Sequence, residues 1–320
     1  MTSERLTCLA SEFKQALDAQ LSGGDSNQFK LPSREVVGQV LRCYLDILFP
    51  VFYGGGVNGP TVRNQRVYLR KFESLLTGQL RSAMLFDCRC AGKGTSSNIE
   101  KRAEEVLNSL ADQLPELAGV LASDIEAAFQ NDPAASSHEE ILLSYPCIQA
   151  ITVQRLAHRL YLMGVPFVPR MMTEVAHSNT GIDINPGASI GESFFIDHGT
   201  GVVIGETATI GKKVTLYHGV TLGAFNPLQK DEQGQLLRGQ DNKRHPDLED
   251  CVTVYPNATI LGGGTRVGHH SVIGGNVWLT YSVAPYSKVT LKDPELVILN
   301  GGPRSEPKAQ PGVLVVESST

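Results

Sequence analysis

The sequence predicts an α+β protein made of an N-terminal all-α helical domain followed by a parallel β-helix. Apolar residues recur at helical spacing up to about residue 174 and then, from about Ile182, every six residues. Glycine accounts for 32 of the 320 residues, or one residue in ten, which is above the ordinary level of about 7%. Most of this excess falls in the second half of the chain. We therefore expect a helical domain over 1–174, a β-helix over 175–291 and a C-terminal tail over 292–320.

The helical part consists of several amphipathic runs separated by turn-forming residues. A Gly- and Asp-containing segment at 22–27 interrupts the first run, and Pro50 ends the second. The glycine-rich segment 52–60 is expected to be a loop. The helical runs are expected near 6–17, 33–49, 67–85, 99–114, 117–129 and 147–162.

The six-residue period is typical of a β-helix, in which each rung supplies one short strand and one corner. The repeating aliphatic side chain points into the prism, and stacked coils bury these side chains as one column. The register slips by two residues across 199–203 and by one residue after Ile260. The repeating positions are Ile184, Ile190, Ile196, Ile204, Ile210, Leu216, Leu222, Val254, Ile260, Val267, Ile273 and Leu279.

Two interruptions of the repeat are the candidate functional segments, because insertions in solenoids form loops that often carry function. The first is the run Asp-His-Gly-Thr-Gly at 197–201. The second is the excursion 224–250, which contains Lys-Arg-His-Pro at 243–246. The excursion is polar and too long for a corner, so we expect it to leave the prism as an exposed loop.

His198 is the strongest single catalytic candidate. It lies in the first interruption beside Asp197, and Asp183 lies one coil earlier near the same edge. A carboxylate bonded to one imidazole nitrogen selects the tautomer and stabilises the imidazolium. Such a pair can deprotonate an alcohol for attack on an acyl group. The alternative is that His198 is a polar loop residue that binds only backbone.

Composition excludes several other classes of protein. The formal net charge of −5 disfavours a nucleic-acid partner, and no run approaches the roughly 20 apolar residues that span a membrane. The N-terminus has no apolar signal region, and the six cysteines lack the spacing of a metal or redox site. We therefore expect a cytoplasmic protein with reduced thiols and no metal.

Five segments together resemble the serine O-acetyltransferases. The resemblance extends from about residue 125 to 288, and the first hundred residues match only in helical character. The segments are Asn131–Ala134, Gly181–Gly191, Phe195–Ala208, Val220–Gly223 and Arg244–Pro246. The resemblance implies a left-handed β-helix and a homotrimer, or a dimer of trimers, with active sites between neighbouring prisms. It implies transfer of acetyl from acetyl-CoA to L-serine in cysteine biosynthesis, with L-cysteine as feedback inhibitor.

The resemblance also implies roles for individual residues. His198 would be the general base, oriented by Asp183, and His245 would contact the substrate hydroxyl and the tetrahedral intermediate. Arg244 would bind the serine carboxylate, for which a planar guanidinium is suited. The remaining implied residues are Asp132 and Asp197 for the ammonium group and Gly223, Ala224 and Ala258 for the pantetheine arm.

Two features depart from the family, and alternative functions stay open. The excursion is longer than the family's usual loop, and the chain ends in Ser-Ser-Thr rather than in the isoleucine that docks cysteine synthase, so that partner is not expected. The alternatives are acetylation of a sugar or homoserine, and a non-catalytic scaffold. A further alternative is a metal-dependent hydratase that uses the corner histidines His218, His269 and His270.

Overall fold

The computed structural model describes residues 3–20, 31–50, 62–90, 96–228, 230–237, 242–292, 296–298 and 313–315. The expected loop at 52–60 lies outside these residues. The helices are α1 Ser3–Gln20, α2 Arg34–Leu48, α3 Val62–Cys90, α4 Ser96–Asn131, α5 His138–Ser144, α6 Pro146–Leu162 and α7 Val168–Thr180. The last helix thus runs to Thr180, beyond the boundary expected at residue 174.

Helix α4 is one continuous helix, whereas two helices were predicted on either side of Pro115. A proline inside a helix removes one hydrogen bond and costs about 3 kcal/mol. The buried face nevertheless continues across it, because Leu110, Leu117 and Leu121 are all nearly inaccessible to solvent. Packing of this face outweighs the local cost, and α4 reaches from the helical domain to the β-helix.

The β-helix has three faces, each a parallel sheet, which the chain visits in turn. In-register pairs such as Ile184 with Ile204 and Ile204 with Leu222 align successive coils. The first sheet contains β1 Asp183–Ile184, β4 Val203–Ile204, β7 Thr221–Gly223, β10 Thr259–Leu261 and β13 Trp278–Leu279. The second contains β2 Ser189–Ile190, β5 Thr209–Ile210, β8 Asp247–Leu248 and β11 Arg266–Val267. The third contains β3 Phe195–Asp197, β6 Thr215–Tyr217, β9 Thr253–Val254, β12 Val272–Ile273 and β14 Lys288–Val289. Beyond the prism, β15 Leu296–Ile298 pairs with β16 Val313–Val315.

The repeating aliphatic side chains form the predicted core of the prism, and all but the half-buried Ile190 are buried. The excursion is shorter than predicted: the chain rejoins the prism at β8, and Leu248, 2% exposed, aligns with Ile210. The sequence pattern missed this rung because no earlier rung on the same side of the insertion sets its phase. The excursion therefore leaves the prism after β7 and returns before β8, between the first and second sheets.

A buried ion pair fastens the helical domain to the first coil. Arg155 of α6 donates to both oxygens of Asp124 of α4, at 2.6 and 2.8 Å, and also to the carbonyl oxygens of Ile190 and Gly191. Asp124 in turn accepts the Phe194 N–H at 2.9 Å. Each buried charge therefore has several partners, as a buried pair requires, and the end of α4 is held against the β-helix.

Two further features are the polarity of the helices and the state of the cysteines. Among the described residues, each helix is too short or too polar to span a lipid bilayer. Five described cysteines, Cys8, Cys43, Cys88, Cys147 and Cys251, carry free thiols.

Candidate active site

His198 occupies the corner between the third and first sheets, after β3 and before β4. Its backbone adopts a left-handed conformation with φ of 58°, and its side chain is 71% exposed. Other non-glycine residues at corners of the prism, such as Lys213 and Asn257, share this positive φ, so the conformation belongs to the solenoid corner. The glycines at 199 and 201 also have positive φ, so the two extra residues form a tight corner that displays the imidazole outward.

One carboxylate lies close to this imidazole, and a second lies in the same region of the corner. Asp197 Oδ1 lies 3.6 Å from His198 Nδ1. Asp132, just beyond the end of α4, accepts a hydrogen bond from Tyr145 Oη at 2.5 Å and another from the Ala134 N–H at 2.8 Å. These two hydrogen bonds lower the pKa of Asp132. Asp132 is therefore an ionised carboxylate, which suits the binding of an ammonium group.

Asp183, predicted to orient His198, has a different partner in the chain. Its Oδ1 lies 3.2 Å from Nη1 of Arg170, and the same guanidinium also pairs with Glu174. Asp183, Glu174 and His177 are close enough together to hold a cation, but the Arg170 guanidinium already serves both carboxylates. The orientation of His198 by Asp183 stays a prediction, and Asp197 is the carboxylate that the structure places beside the imidazole.

Arg244 and His245 lie at the end of the excursion, against the corner between the first and second sheets. An added Cβ at Gly205 would stand 1.9 Å from Cδ2 and 2.1 Å from Nε2 of His245, so only glycine leaves room for this ring. Thr207 holds the segment: its Oγ1 accepts the N–H groups of Arg244 and His245, both at 3.0 Å. The pair of residues is thus fixed by the neighbouring coil rather than by the excursion itself.

The hydrogen bonds of His245 select its tautomer. Nδ1 accepts the Thr207 N–H at 3.1 Å, and Thr207 Oγ1 lies 2.8 Å from the same atom. Burial and the charge of Arg244 lower the pKa of His245 to about 4. The ring is therefore neutral at physiological pH, and its proton resides on Nε2, where it can be donated to an oxygen.

Glu206 orients the guanidinium of Arg244. Its carboxylate pairs with Arg244 and accepts a hydrogen bond from Tyr161 Oη at 2.7 Å. Burial alone would raise the pKa of Glu206, but these two bonds lower it. Arg244 is thus held at the corner by a charged partner, with a planar group suited to a carboxylate.

The two groups of site residues stand at opposite edges of one face. His198 precedes β4 of the first sheet, whereas Gly205 and Thr207, which hold His245, follow it. The predicted cofactor residues divide in the same way: Ala258 precedes β10, at the edge of His198, and Gly223 and Ala224 end or follow β7, at the edge of His245. One chain therefore does not bring the predicted site together.

The backbone of the predicted cofactor residues is largely engaged inside the prism. The Gly223 carbonyl accepts the Gly262 N–H at 3.0 Å. Ala258 is fully buried, its N–H donates to the Tyr255 carbonyl at 3.3 Å, and its carbonyl accepts the Thr221 N–H at 3.0 Å. A contact from Ala258 to a pantetheine arm would use the second lone pair of that carbonyl oxygen, and it stays a prediction.

The three corner histidines of the hydratase alternative do not converge in the chain. His218 follows β6, at the edge that carries His198, whereas His269 and His270 follow β11, at the edge between the second and third sheets. His269 and His270 contact each other through Nδ1 atoms 3.0 Å apart, and both rings pack on Tyr286.

Sequence reasoning missed three residues that position the site: Tyr145, Glu206 and Thr207. Glu206 and Thr207 follow a glycine at a regular rung, so the repeat pattern assigned them only a corner. The sequence feature that could have identified them is an acidic residue followed by a hydroxyl residue at the corner one coil before the inserted Arg-His. Tyr145 lies between two helices, and no motif marks it.

Comparisons with known proteins show which proteins the chain is similar to. No family model matches the chain. A serine acetyltransferase of Synechococcus elongatus is 48% identical over 267 residues, which are 81% of this chain and 81% of that protein. Serine acetyltransferase 1 of Entamoeba histolytica, solved with L-cysteine, is 35% identical with a TM-score of 0.68, covering 82% of this chain and 88% of that one. The soybean enzyme, solved with serine, is 27% identical with a TM-score of 0.52, covering 80% and 96%.

Proposed function

Because the chain belongs to the serine acetyltransferases, we propose that it transfers the acetyl group of acetyl-CoA to the hydroxyl of L-serine, releasing O-acetyl-L-serine and CoA. The observation that carries the assignment of roles is the division of the site between two edges of one face. One edge offers an exposed imidazole with the carboxylates of Asp132 and Asp197. The other offers a guanidinium and an imidazole N–H.

The first edge suits the ammonium and hydroxyl groups of serine. Asp132 and Asp197 bind the ammonium group, and His198 takes the hydroxyl proton as the oxygen attacks the thioester carbonyl carbon. Asp197 stabilises the imidazolium that forms, and a contribution from Asp183 stays a prediction. The proton then passes from His198 to the sulfur that leaves with CoA.

The second edge suits the carboxylate and the developing oxyanion. Arg244, oriented by Glu206, binds the serine carboxylate through its planar guanidinium. His245 donates its Nε2 proton to the oxygen of the tetrahedral intermediate, a type of contact worth about 10²–10³ in kcat. Gly223, Ala224 and Ala258 border the pantetheine arm. An acceptor with both an ammonium and a carboxylate group is thereby favoured over a sugar.

The complete site lies between two copies of the chain. A cyclic arrangement sets the His198 edge of one prism against the His245 edge of the next and repeats the same contact around the ring. We propose a homotrimer, alone or paired through the helical domains 1–174. The free thiols are consistent with a cytoplasmic location.

L-cysteine is the proposed feedback inhibitor. It carries the same ammonium and carboxylate groups as serine, and the Entamoeba histolytica relative was solved with it. The carboxylates of the first edge and Arg244 would bind both molecules alike, so inhibition is expected to be competitive with serine.

An acceptor screen with acetyl-CoA tests this function. Release of free CoA thiol is measured with L-serine, L-homoserine and a sugar at equal concentrations. The His198→Ala variant is assayed in the same way as a negative control. We expect serine to give by far the fastest release and the variant to lose it by orders of magnitude. Release with another alcohol and none with serine would overturn the substrate assignment.

A further inference from the structure

His269 and His270 form a pair of imidazoles away from the two edges that carry the proposed active site. They follow β11, at the corner between the second and third sheets. Their Nδ1 atoms lie 3.0 Å apart in an exposed position. Neighbouring side chains of an extended chain point to opposite sides, but His270 has a left-handed backbone with φ of 57°. The corner therefore brings two metal-ligating nitrogens together from adjacent residues.

The surrounding residues hold this pair in place. Both rings pack against Tyr286 at centroid distances of 5.0 Å, edge-on for His269 and stacked for His270. The Glu249 carboxylate accepts the backbone N–H of His269 at 2.9 Å, and the Asp250 carbonyl accepts that of His270 at 3.0 Å. The two rings are thus ordered before a ligand binds, which lowers the entropy cost of binding.

An acidic cleft lies beside the pair. Its lining includes three carboxylates, one guanidinium and both imidazoles, contributed by Asp247, Glu249, Asp250, Arg266, His269 and His270. Lys243, which pairs with Asp247 at 2.5 Å, supplies a second positive charge. Three carboxylates against two cations leave one net negative charge, so the local field favours a positively charged ligand.

The separation of the two nitrogens indicates which ion they suit. With the nitrogens 3.0 Å apart, a metal bonded to both at about 2.0–2.1 Å would form an N–metal–N angle of about 91–97°. The tetrahedral angle of zinc would need the nitrogens about 3.3–3.4 Å apart. An angle near 90° instead joins neighbouring positions in the square-planar or tetragonal geometry of Cu²⁺ and Ni²⁺. We propose that His269 and His270 bind one Cu²⁺ or Ni²⁺ per chain through their Nδ1 atoms, with water in the remaining positions.

Binding requires a change of tautomer but no net change in the number of protons. In the free pair, one Nδ1 carries a proton and donates it to the other. When the metal binds, that proton is lost to water, Nε2 of the same ring takes one up, and both Nδ1 lone pairs bond to the metal. The site does not depend on the proposed acyl transfer, because this corner carries neither His198 nor His245.

Isothermal titration calorimetry of the untagged protein with NiCl₂ tests this site. We expect one Ni²⁺ to bind per chain. His269→Gln and His270→Asn are each expected to weaken binding at least about 10-fold, the lower end of what loss of a supporting residue costs a metal site. Asparagine is used at position 270 because it tolerates the left-handed backbone. His177→Gln, which alters the cluster with Glu174 and Asp183 on another part of the chain, is expected to leave binding unchanged.

Further measurements separate this site from misfolding and from binding elsewhere. The melting temperature and oligomeric mass of each variant without metal show that it is folded. Electron paramagnetic resonance of the Cu²⁺-loaded protein is expected to show hyperfine structure from two nitrogen donors, and Ni²⁺ is expected to raise the wild-type melting temperature. Absence of Ni²⁺ binding, wild-type affinity in both corner variants, or loss of binding in His177→Gln would each overturn the site. Hyperfine structure from fewer than two nitrogens would overturn it as well.

Discussion

Thr207 is the residue whose removal most directly tests how the second edge is built. Its hydroxyl accepts two backbone N–H groups at 3.0 Å and lies 2.8 Å from His245 Nδ1. Thr207→Val retains the shape of this buried side chain but removes all three contacts. Each net hydrogen bond contributes about 0.5–1.5 kcal/mol. The free energy that holds the Arg244–His245 segment against the neighbouring coil therefore falls by about 1.5–4.5 kcal/mol.

This loss is expected to appear in catalysis rather than in global stability, because the segment can detach locally while the aliphatic column stays intact. We expect kcat/KM for serine to fall about 10- to 1,000-fold, with a small change in melting temperature. Thr207→Ser keeps the hydroxyl and serves as the matched control, with activity near that of wild type. A Thr207→Val enzyme with wild-type kcat/KM would refute the reasoning that this hydroxyl positions the site.

Three further predictions concern space, charge and pH. Gly205→Ala is expected to displace His245 and to lower kcat at least about 100-fold. The control Gly38→Ala, whose added methyl meets no atom within 4 Å, is expected to leave kcat unchanged, and equal kcat values for the two variants would contradict the steric argument. Arg155→Met leaves a buried carboxylate without its charged partner and is expected to cost about 3–5 kcal/mol of unfolding free energy, measured in urea. Arg159→Met, whose partner Glu116 is exposed, is expected to cost less than about 1 kcal/mol. Similar costs for the two variants would contradict the assignment. Because the pKa of His245 is lowered to about 4 in the folded chain, the unfolded chain binds a proton on this imidazole more tightly. The contribution of neutral His245 to folding stability is therefore complete above pH about 6.5 and is lost as pH falls to about 4. The wild-type melting temperature is therefore expected to fall more steeply than that of His245→Gln over this range, and parallel curves would contradict the shift.

The β-helix could be predicted from the sequence because the six-residue pattern that specifies it is local. An aliphatic residue such as Ile204 or Ile260 has to recur every six positions to fill the prism, and that rule extends even across the slipped corners. Leu248 escaped detection because an insertion resets the phase, and only pairing with Ile210 restores it. The continuity of α4 across Pro115 likewise depends on tertiary packing, which local propensity does not contain.

The site was predictable only in part. His198 and the Arg244–His245 segment interrupt a regular pattern and could be found by that interruption. Their placement at opposite edges could not be found in this way, because it depends on which two sheets the excursion separates. The contacts of Thr207 were hidden for a similar reason, since they join residues that are neighbours only after the coils have stacked.

The central claim is that His198 of one copy and His245 of the next complete one active site. Subunit complementation measures this directly: His198→Ala and His245→Ala proteins, each inactive alone, are unfolded together in equal amounts, refolded and assayed for serine-dependent thiol release. Each mixed trimer then contains one interface with both histidines, so about a quarter of wild-type activity is expected to return. Mixed trimers that form, as shown by their mass, but remain inactive would contradict the account.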